Sequence, residues 1–247
     1  MKILKNNIIK IVLLSIIFPV VLVVMGNFIH VKSVGSLMQG MGDLVVFLVA
    51  YFLNQRYFRQ KIAWFNSHQV AAQLYTALPA IIIVAFLDSP VLMATDFQIK
   101  WQVIIVCLLV GLAEEFIFRG ILVKLFLKVL NGDALGSVVG SGIIFGLIHF
   151  MNLRSLPFGY VSAQVIFAAA IGIIFGAIYI KTNNLLIVIL LHALRDMFPM
   201  FSSKMMAQAA TTSFSMATLY VMIIFLFIAV TIAYTQLRDF TVKKDEI

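Results

Sequence analysis

The sequence predicts an all-α membrane protein, a polytopic bundle of about eight transmembrane helices with both termini cytoplasmic. Three observations predict it. The 247 residues are 63% hydrophobic and 11% charged, with a mean hydropathy of +1.09, whereas ordinary soluble domains are roughly half apolar and about a quarter charged. The apolar residues fall in continuous runs of membrane-spanning length, not in the alternation that barrel strands require. The cations lie in short segments between those runs, so the +8 net charge is no sign of a nucleic-acid partner.

Taken in order, the expected spans are about Ile8–Phe28, Leu37–Leu53, Val70–Leu87, Ile99–Phe118 with a continuation to Leu130, Leu135–Phe150, Val161–Ile180, Leu185–Met200 and Met216–Thr235. The second, fifth and seventh are short for a bilayer. The N-terminus has the basic-then-apolar form of a signal peptide. Its apolar stretch is longer than a signal core of about 7–15 residues and lacks a small-residue cleavage site, so it is read as the first span. With the N-terminus in the cytoplasm, Lys2, Lys5, Lys10, Arg56, Arg59, Lys61, Lys124, Lys128, Lys181, Arg238, Lys243 and Lys244 lie inside. Only Lys32, Lys100, Arg154 and Lys204 lie outside, and this asymmetry sets the orientation.

No repeat, low-complexity segment or soluble domain interrupts the chain. A single integral membrane domain over 1–247 is expected, with a catalytic core at about 70–200. The pairs Gly136/Gly140, Gly142/Gly146 and Gly172/Gly176 are small-xxx-small patterns that let membrane helices approach closely. The lone Cys107 allows no internal disulfide and sits on an apolar stretch, where it reads as core packing. His30 and His68 fall in polar connecting segments and read as solvated, as does the charged tail from Arg238.

Three polar sets lie inside apolar spans: Glu114, Glu115 and Arg119; Phe145 with His149; and His192 with Asp196. Ionisable groups at membrane depth are costly and are read as functional by default. Residues four apart share a helical face. That spacing predicts a Glu115–Arg119 ion pair, leaves Glu114 facing elsewhere, and points His192 and Asp196 the same way. Asn131-Gly132-Asp133 reads as the turn of a helical hairpin. Glu114 precedes Asn131 by seventeen residues and His149 follows Gly132 by seventeen, so the hairpin sets them at equal depth. Glu114 is ten residues from Lys124 and His192 eleven from Lys181, about 15 Å of helix in each case. Three spans thus deliver Glu114, His149 and His192 to one level. Any one of these groups alone reads equally well as interhelical glue; their convergence favours a site.

Two chemistries are open to such a set. Glu114 can act as general base on a trapped water, with His192 and Asp196 supplying polarity near the oxyanion. Alternatively Glu114, His149 and His192 make the two-His, one-Glu donor set of a catalytic zinc; zinc is the one cofactor this composition suggests. Other intramembrane proteolytic signatures are missing. There is no HExxH. An aspartyl GxGD would need glycine where Leu130 stands, and a GxSG around Ser141 would need glycine where Val139 stands.

EEFIFR (Glu114–Arg119) resembles the EExxxR motif of the CPBP family, the CAAX proteases and bacteriocin-processing or immunity proteins also called the Abi family. FGLIH (Phe145–His149) resembles its FxxxH motif, and HALRD (His192–Asp196) its His-xxx-Asn/Asp motif. The resemblance implies an intramembrane endopeptidase with an eight-helix core. CAAX-processing members remove the last three residues after a prenylated cysteine. By motif, Glu114 would activate water, His149, His192 and Asp196 would complete the site, and Glu115, Arg119 and Phe145 would support it. Family members were first described as metalloproteases, while a metal-free, glutamate-dependent mechanism is the reading favoured for this chain. Asp196 stands where CAAX-processing members commonly carry asparagine, and an ionised Asp cannot donate the hydrogen bond that an amide can. The Lys-, Ile- and Asn-rich N-terminus has a low-GC bacterial composition. The resemblance then implies a protease of the cell membrane, acting on a membrane-embedded or membrane-associated peptide in bacteriocin self-immunity or in peptide processing. The alternative is a membrane immunity protein that acts by binding, without catalysis.

Overall fold

A computed structural model describes all residues except 1, 27, 29–33, 212–214, 241 and 243–247. His30 and the last residues of the tail therefore lie outside the described residues. The described chain contains helices and no strand: α1 (Lys2–Gly26), α2 (Leu37–Leu53), α3 (Val70–Leu92), α4 (Trp101–Glu115), α5 (Val123–Val129), α6 (Ala134–Ile148), α7 (Phe158–Thr182), α8 (Leu185–Met200), α9 (Ser203–Thr211) and α10 (Met216–Leu237). The protein is a multi-pass helical membrane bundle.

Every expected span is helical, but seven segments, not eight, are long and apolar enough to cross a membrane among the described residues. The difference lies in how short helices are extended. A π-helical turn over Asn54–Phe58 lengthens α2 to a span of 22 residues, and a 3₁₀ turn over His149–Arg154 lengthens α6 to 21. No such turn extends α8, which stays at 16 residues, about 24 Å long. Its chain turns at Phe201 and Ser202 into α9, a short helix that the hydrophobic pattern did not announce.

The expected continuous fourth span is interrupted. Between α4 and α5 the backbone widens into a π-helical turn over Phe116–Leu122, all seven residues of which are buried. A widened turn disturbs the regular ladder, and here Ser141 Oγ of α6 donates to the Phe118 carbonyl oxygen at 2.9 Å. This turn is the centre of the core. Phe116, Ile117, Phe118, Ile121 and Leu122 are enclosed by Leu14 and Phe18 of α1, Phe145 of α6 and Phe175 of α7.

The hairpin turn falls where its sequence places it. Asn131 and Gly132 both have positive φ, at 54° and 89°, the backbone that Asn and Gly tolerate best. Asp133 then caps α6, its Oδ1 accepting from the Gly136 N–H at 3.0 Å. Small residues set the helix spacing. A Cβ on Gly142 would stand 2.9 Å from the Ala169 carbonyl oxygen, and one on Gly172 would stand 3.1 Å from Gly142 Cα, so α6 and α7 meet nearly backbone to backbone. On the other side of the bundle a Cβ on Gly111 would stand 2.9 Å from the Ile189 carbonyl oxygen, which brings α4 against α8. Gly111 lies one turn before the paired glutamates, so this close approach delivers them to His192.

Candidate active site

Glu114 and Glu115 end α4 at the lip of the π turn. Both reach one imidazole. His192 Nδ1 donates to Glu115 Oε1 at 2.6 Å, while Nε2 lies 3.5 Å from Glu114 Oε2 and 3.3 Å from Asp196 Oδ2. The i,i+4 spacing of Glu115 and Arg119 gives the expected ion pair, Nη1 to Oε1 at 2.9 Å, with both side chains almost wholly buried. The expectation that this pair would turn Glu114 elsewhere is corrected. The helix approach at Gly111 is close enough for adjacent glutamates to grip opposite nitrogens of the same ring.

The Glu115–Arg119 contact is ionic and poorly aligned as a hydrogen bond. Arg119 Nη1 and Nη2 and Glu115 Oε2 have no hydrogen-bond partner among the described residues. Arg119 instead lies over two aromatic faces, 4.3 Å from the Phe145 centroid and 5.8 Å from that of Phe175. Glu115 thus fixes the His192 ring and Arg119 fixes Glu115. Glu114 and Asp196 stay partly open, with 13% and 34% of their side chains exposed.

His149 stands at the end of α6, where the helix tightens into the 3₁₀ turn. Its Nδ1 lies 2.9 Å from the Phe145 carbonyl oxygen. A carbonyl only accepts, so Nδ1 carries the proton and Nε2 of the neutral ring is left with a lone pair. Phe145 lies edge-on to both histidines, with ring centroids 5.1 Å from His149 and 5.9 Å from His192. It walls the site and separates the two rings.

Every residue singled out in the sequence thus belongs to one neighbourhood. Glu114, Glu115, Arg119, His192 and Asp196 are in direct contact, and His149 joins through Phe145. Sequence reasoning missed three further charged groups. Asp88 of α3 pairs with Arg195 of α8 at 3.0 Å, beside Asp196. Asp43 of α2 is 6% exposed and lies within electrostatic range of Glu114, His192 and Asp196. The signal for Asp43 was in plain view: a lone acid in the apolar run Leu37–Leu53, the same sign that marks Glu114.

A catalytic zinc needs three converging ligands and an open position. Among the described residues, no group of three or more His, Cys, Asp or Glu side chains is arranged to hold a metal ion. The His192 ring is clasped by carboxylates, and the His149 ring stands apart behind Phe145. The donor set Glu114, His149 and His192 therefore does not fit zinc in this arrangement.

Comparison with known families gives a match over residues 96–198 to the family described as type II CAAX prenyl endopeptidase Rce1-like. No curated protein and no solved structure matches the chain. The matched segment runs from the approach to α4 to the end of α8 and so contains Glu114, His149, His192 and Asp196. Over residues 96–198 the chain is thus similar to the CAAX-type endopeptidases, the group that its three motifs also resemble.

Proposed function

We propose that the protein is an intramembrane endopeptidase in which Glu114 activates the hydrolytic water. The observation that carries this reading is the partly open Glu114 carboxylate facing a fixed His192, 3.5 Å away, inside the Rce1-like segment. Glu114 takes a proton from a water that attacks the peptide carbonyl. The neutral His149 accepts a hydrogen bond at Nε2 and orients that water. His192 is held by Glu115 through Nδ1. Between the Glu114 and Asp196 carboxylates, the His192 ring in its protonated form offers an Nε2–H to the developing oxyanion. Asp196 holds the ring from its own helix. As the C–N bond breaks, the protonated Glu114 returns its proton to the leaving nitrogen. Glu115, Arg119 and Phe145 act as supports and touch no reacting atom.

The substrate in this reading is a membrane-embedded or membrane-associated peptide. The membrane is the cell membrane, with both termini in the cytoplasm. The biological role is bacteriocin self-immunity or peptide and protein processing, carried out by one domain over 1–247 with its core at about 70–200. Glu114→Gln is nearly isosteric and removes the base. Loss of a general base costs typically 10²–10⁴-fold, so purified Glu114→Gln protein should cleave a membrane peptide at least about a hundredfold more slowly than wild type while inserting normally. Cleavage by wild type should be unaffected by a chelator. Cleavage by Glu114→Gln within about tenfold of wild type would sink the reading. Protection of a bacteriocin-sensitive host by Glu114→Gln, with no cleavage, would instead assign the immunity role to binding.

A further inference from the structure

The carboxylates around the site are unequally matched. Glu115 has Arg119, Asp88 has Arg195, and Glu114 and Asp196 share His192. Asp43 has none of these. It is 6% exposed, and its Oδ2 is enclosed without a hydrogen-bond partner among the described residues. A buried carboxyl without a partner costs free energy comparable to several ordinary contacts.

The packing of α2 on α4 places Asp43 in the site. Gly40, three residues before it, would press a Cβ against Val106 and Leu109 of α4 at 3.2 Å, and Phe47, four residues after it, packs its ring 5.2 Å from Phe116 at the π turn. Between these two contacts Asp43 lies on the face of α2 turned to α4, with Cys107, Glu114, His192 and Asp196 within its electrostatic range. Cys107 is fully buried and offers no charge.

We propose that Asp43 is a substrate-binding residue that, with Asp196, accepts a cationic group of the peptide, a lysine or arginine side chain or a free amino terminus. This rests on the endopeptidase reading and names the substrate class for that site. Among the described residues the guanidinium groups beside the site, the buried Arg119 and the half-buried Arg195, are already held by Glu115 and Asp88. Asp43 therefore lacks a positive partner that the substrate can bring. A cation seated there would lie on the Nε2 side of His192, the side that Asp196 and Glu114 share and Glu115 does not. The same placement disfavours a substrate whose own carboxylate enters this end of the site.

The test uses two fluorescent membrane-inserting peptides, a leucine-rich segment carrying one central lysine and its twin carrying norleucine. Binding is measured by anisotropy in detergent to Glu114→Gln protein, so the readout does not depend on turnover. A charge-assisted hydrogen bond contributes about 1.5–3 kcal/mol, a factor of about 10 to 150. The lysine peptide should therefore bind Glu114→Gln at least about tenfold more tightly than the norleucine peptide. Adding Asp43→Asn should erase that ratio with little change for norleucine, and adding Asp43→Glu should keep it. Equal binding of the two peptides, or a preference that survives Asp43→Asn, would overturn the proposal. If Asp43→Asn does not fold, the Asp43→Glu and parent proteins still decide whether the lysine preference exists. Cleavage of the norleucine peptide by the wild-type protein is scored separately. Its absence would count against the endopeptidase reading, while the binding ratio alone decides the cation site.

Discussion

Removing either member of the Glu115–Arg119 pair should unbalance a buried charge, and the two removals should not be equal. The pair is separated by 2.9 Å and almost fully enclosed. At an effective dielectric of about 20 its Coulomb attraction is about 6 kcal/mol, most of it offset by the cost of leaving water. Breaking such a pair from one side costs about 3–5 kcal/mol, because the survivor stays buried and unpaired. The survivors differ here. Glu115→Leu strands Arg119 with two aromatic faces at 4.3 and 5.8 Å, worth only about 0.5–2 kcal/mol. Arg119→Met leaves Glu115 with the His192 Nδ1–H at 2.6 Å. Glu115→Leu should thus lie near the top of the range, about 5 kcal/mol, and Arg119→Met near the bottom, about 3. The double variant Glu115→Leu/Arg119→Met carries neither charge and should be less damaged than the sum of the single losses. Denaturant unfolding in detergent micelles, followed by circular dichroism, measures all three. Single losses both below about 1 kcal/mol, or Arg119→Met worse than Glu115→Leu, would refute the reasoning.

Two further outcomes follow from the packing and from the loop beyond α3. Gly111→Leu must separate α4 from α8, because its Cβ meets the Ile189 carbonyl oxygen at 2.9 Å. The variant should lower the thermal midpoint and lose peptide cleavage, with Gly111→Ala intermediate; a fully active Gly111→Leu protein would mean that α4 and α8 do not set the site. Asp96, between α3 and α4, accepts from the Ser202 hydroxyl at 2.6 Å and the Lys204 N–H at 2.9 Å, and these bonds hold its carboxyl below the ordinary value. Its stabilising effect is fully present above the unfolded value of about 4 and is lost as pH falls through the lower folded value. The thermal midpoint of wild type should therefore fall more than that of Asp96→Asn between pH 5 and pH 3, and parallel curves would remove this role.

Much of the arrangement was legible because apolar runs and helical spacing are local properties. Helix positions, the Asn131–Gly132 turn and the Glu115–Arg119 pair all follow from residues within a few positions of one another. What was not legible depends on distances between helices. The convergence of Glu114 and Glu115 on one ring requires the approach at Gly111, and nothing in EEFIFR announces it. The π turn after Glu115 was hidden because its relief, the Ser141 hydroxyl on the Phe118 carbonyl, comes from another helix. Asp43 carried the same intramembrane-acid signal as Glu114 but belonged to no motif. The span expected at Leu185–Met200, already short in the sequence, stays at 16 residues because no added turn extends α8 as turns extend α2 and α6.

That shortfall in length bears on the lipid. α8 turns Leu186, Leu190 and Leu194 outward as an exposed stripe, and His192 and Asp196 lie on its inner side. A rod of about 24 Å falls some 6 Å short of a hydrocarbon layer of about 30 Å, a mismatch that a bilayer can meet by thinning at fractions of a kcal/mol per Å. A bilayer that thins along the helix presenting the histidine would leave water and a polar backbone less oil to cross at the place where hydrolysis needs them both.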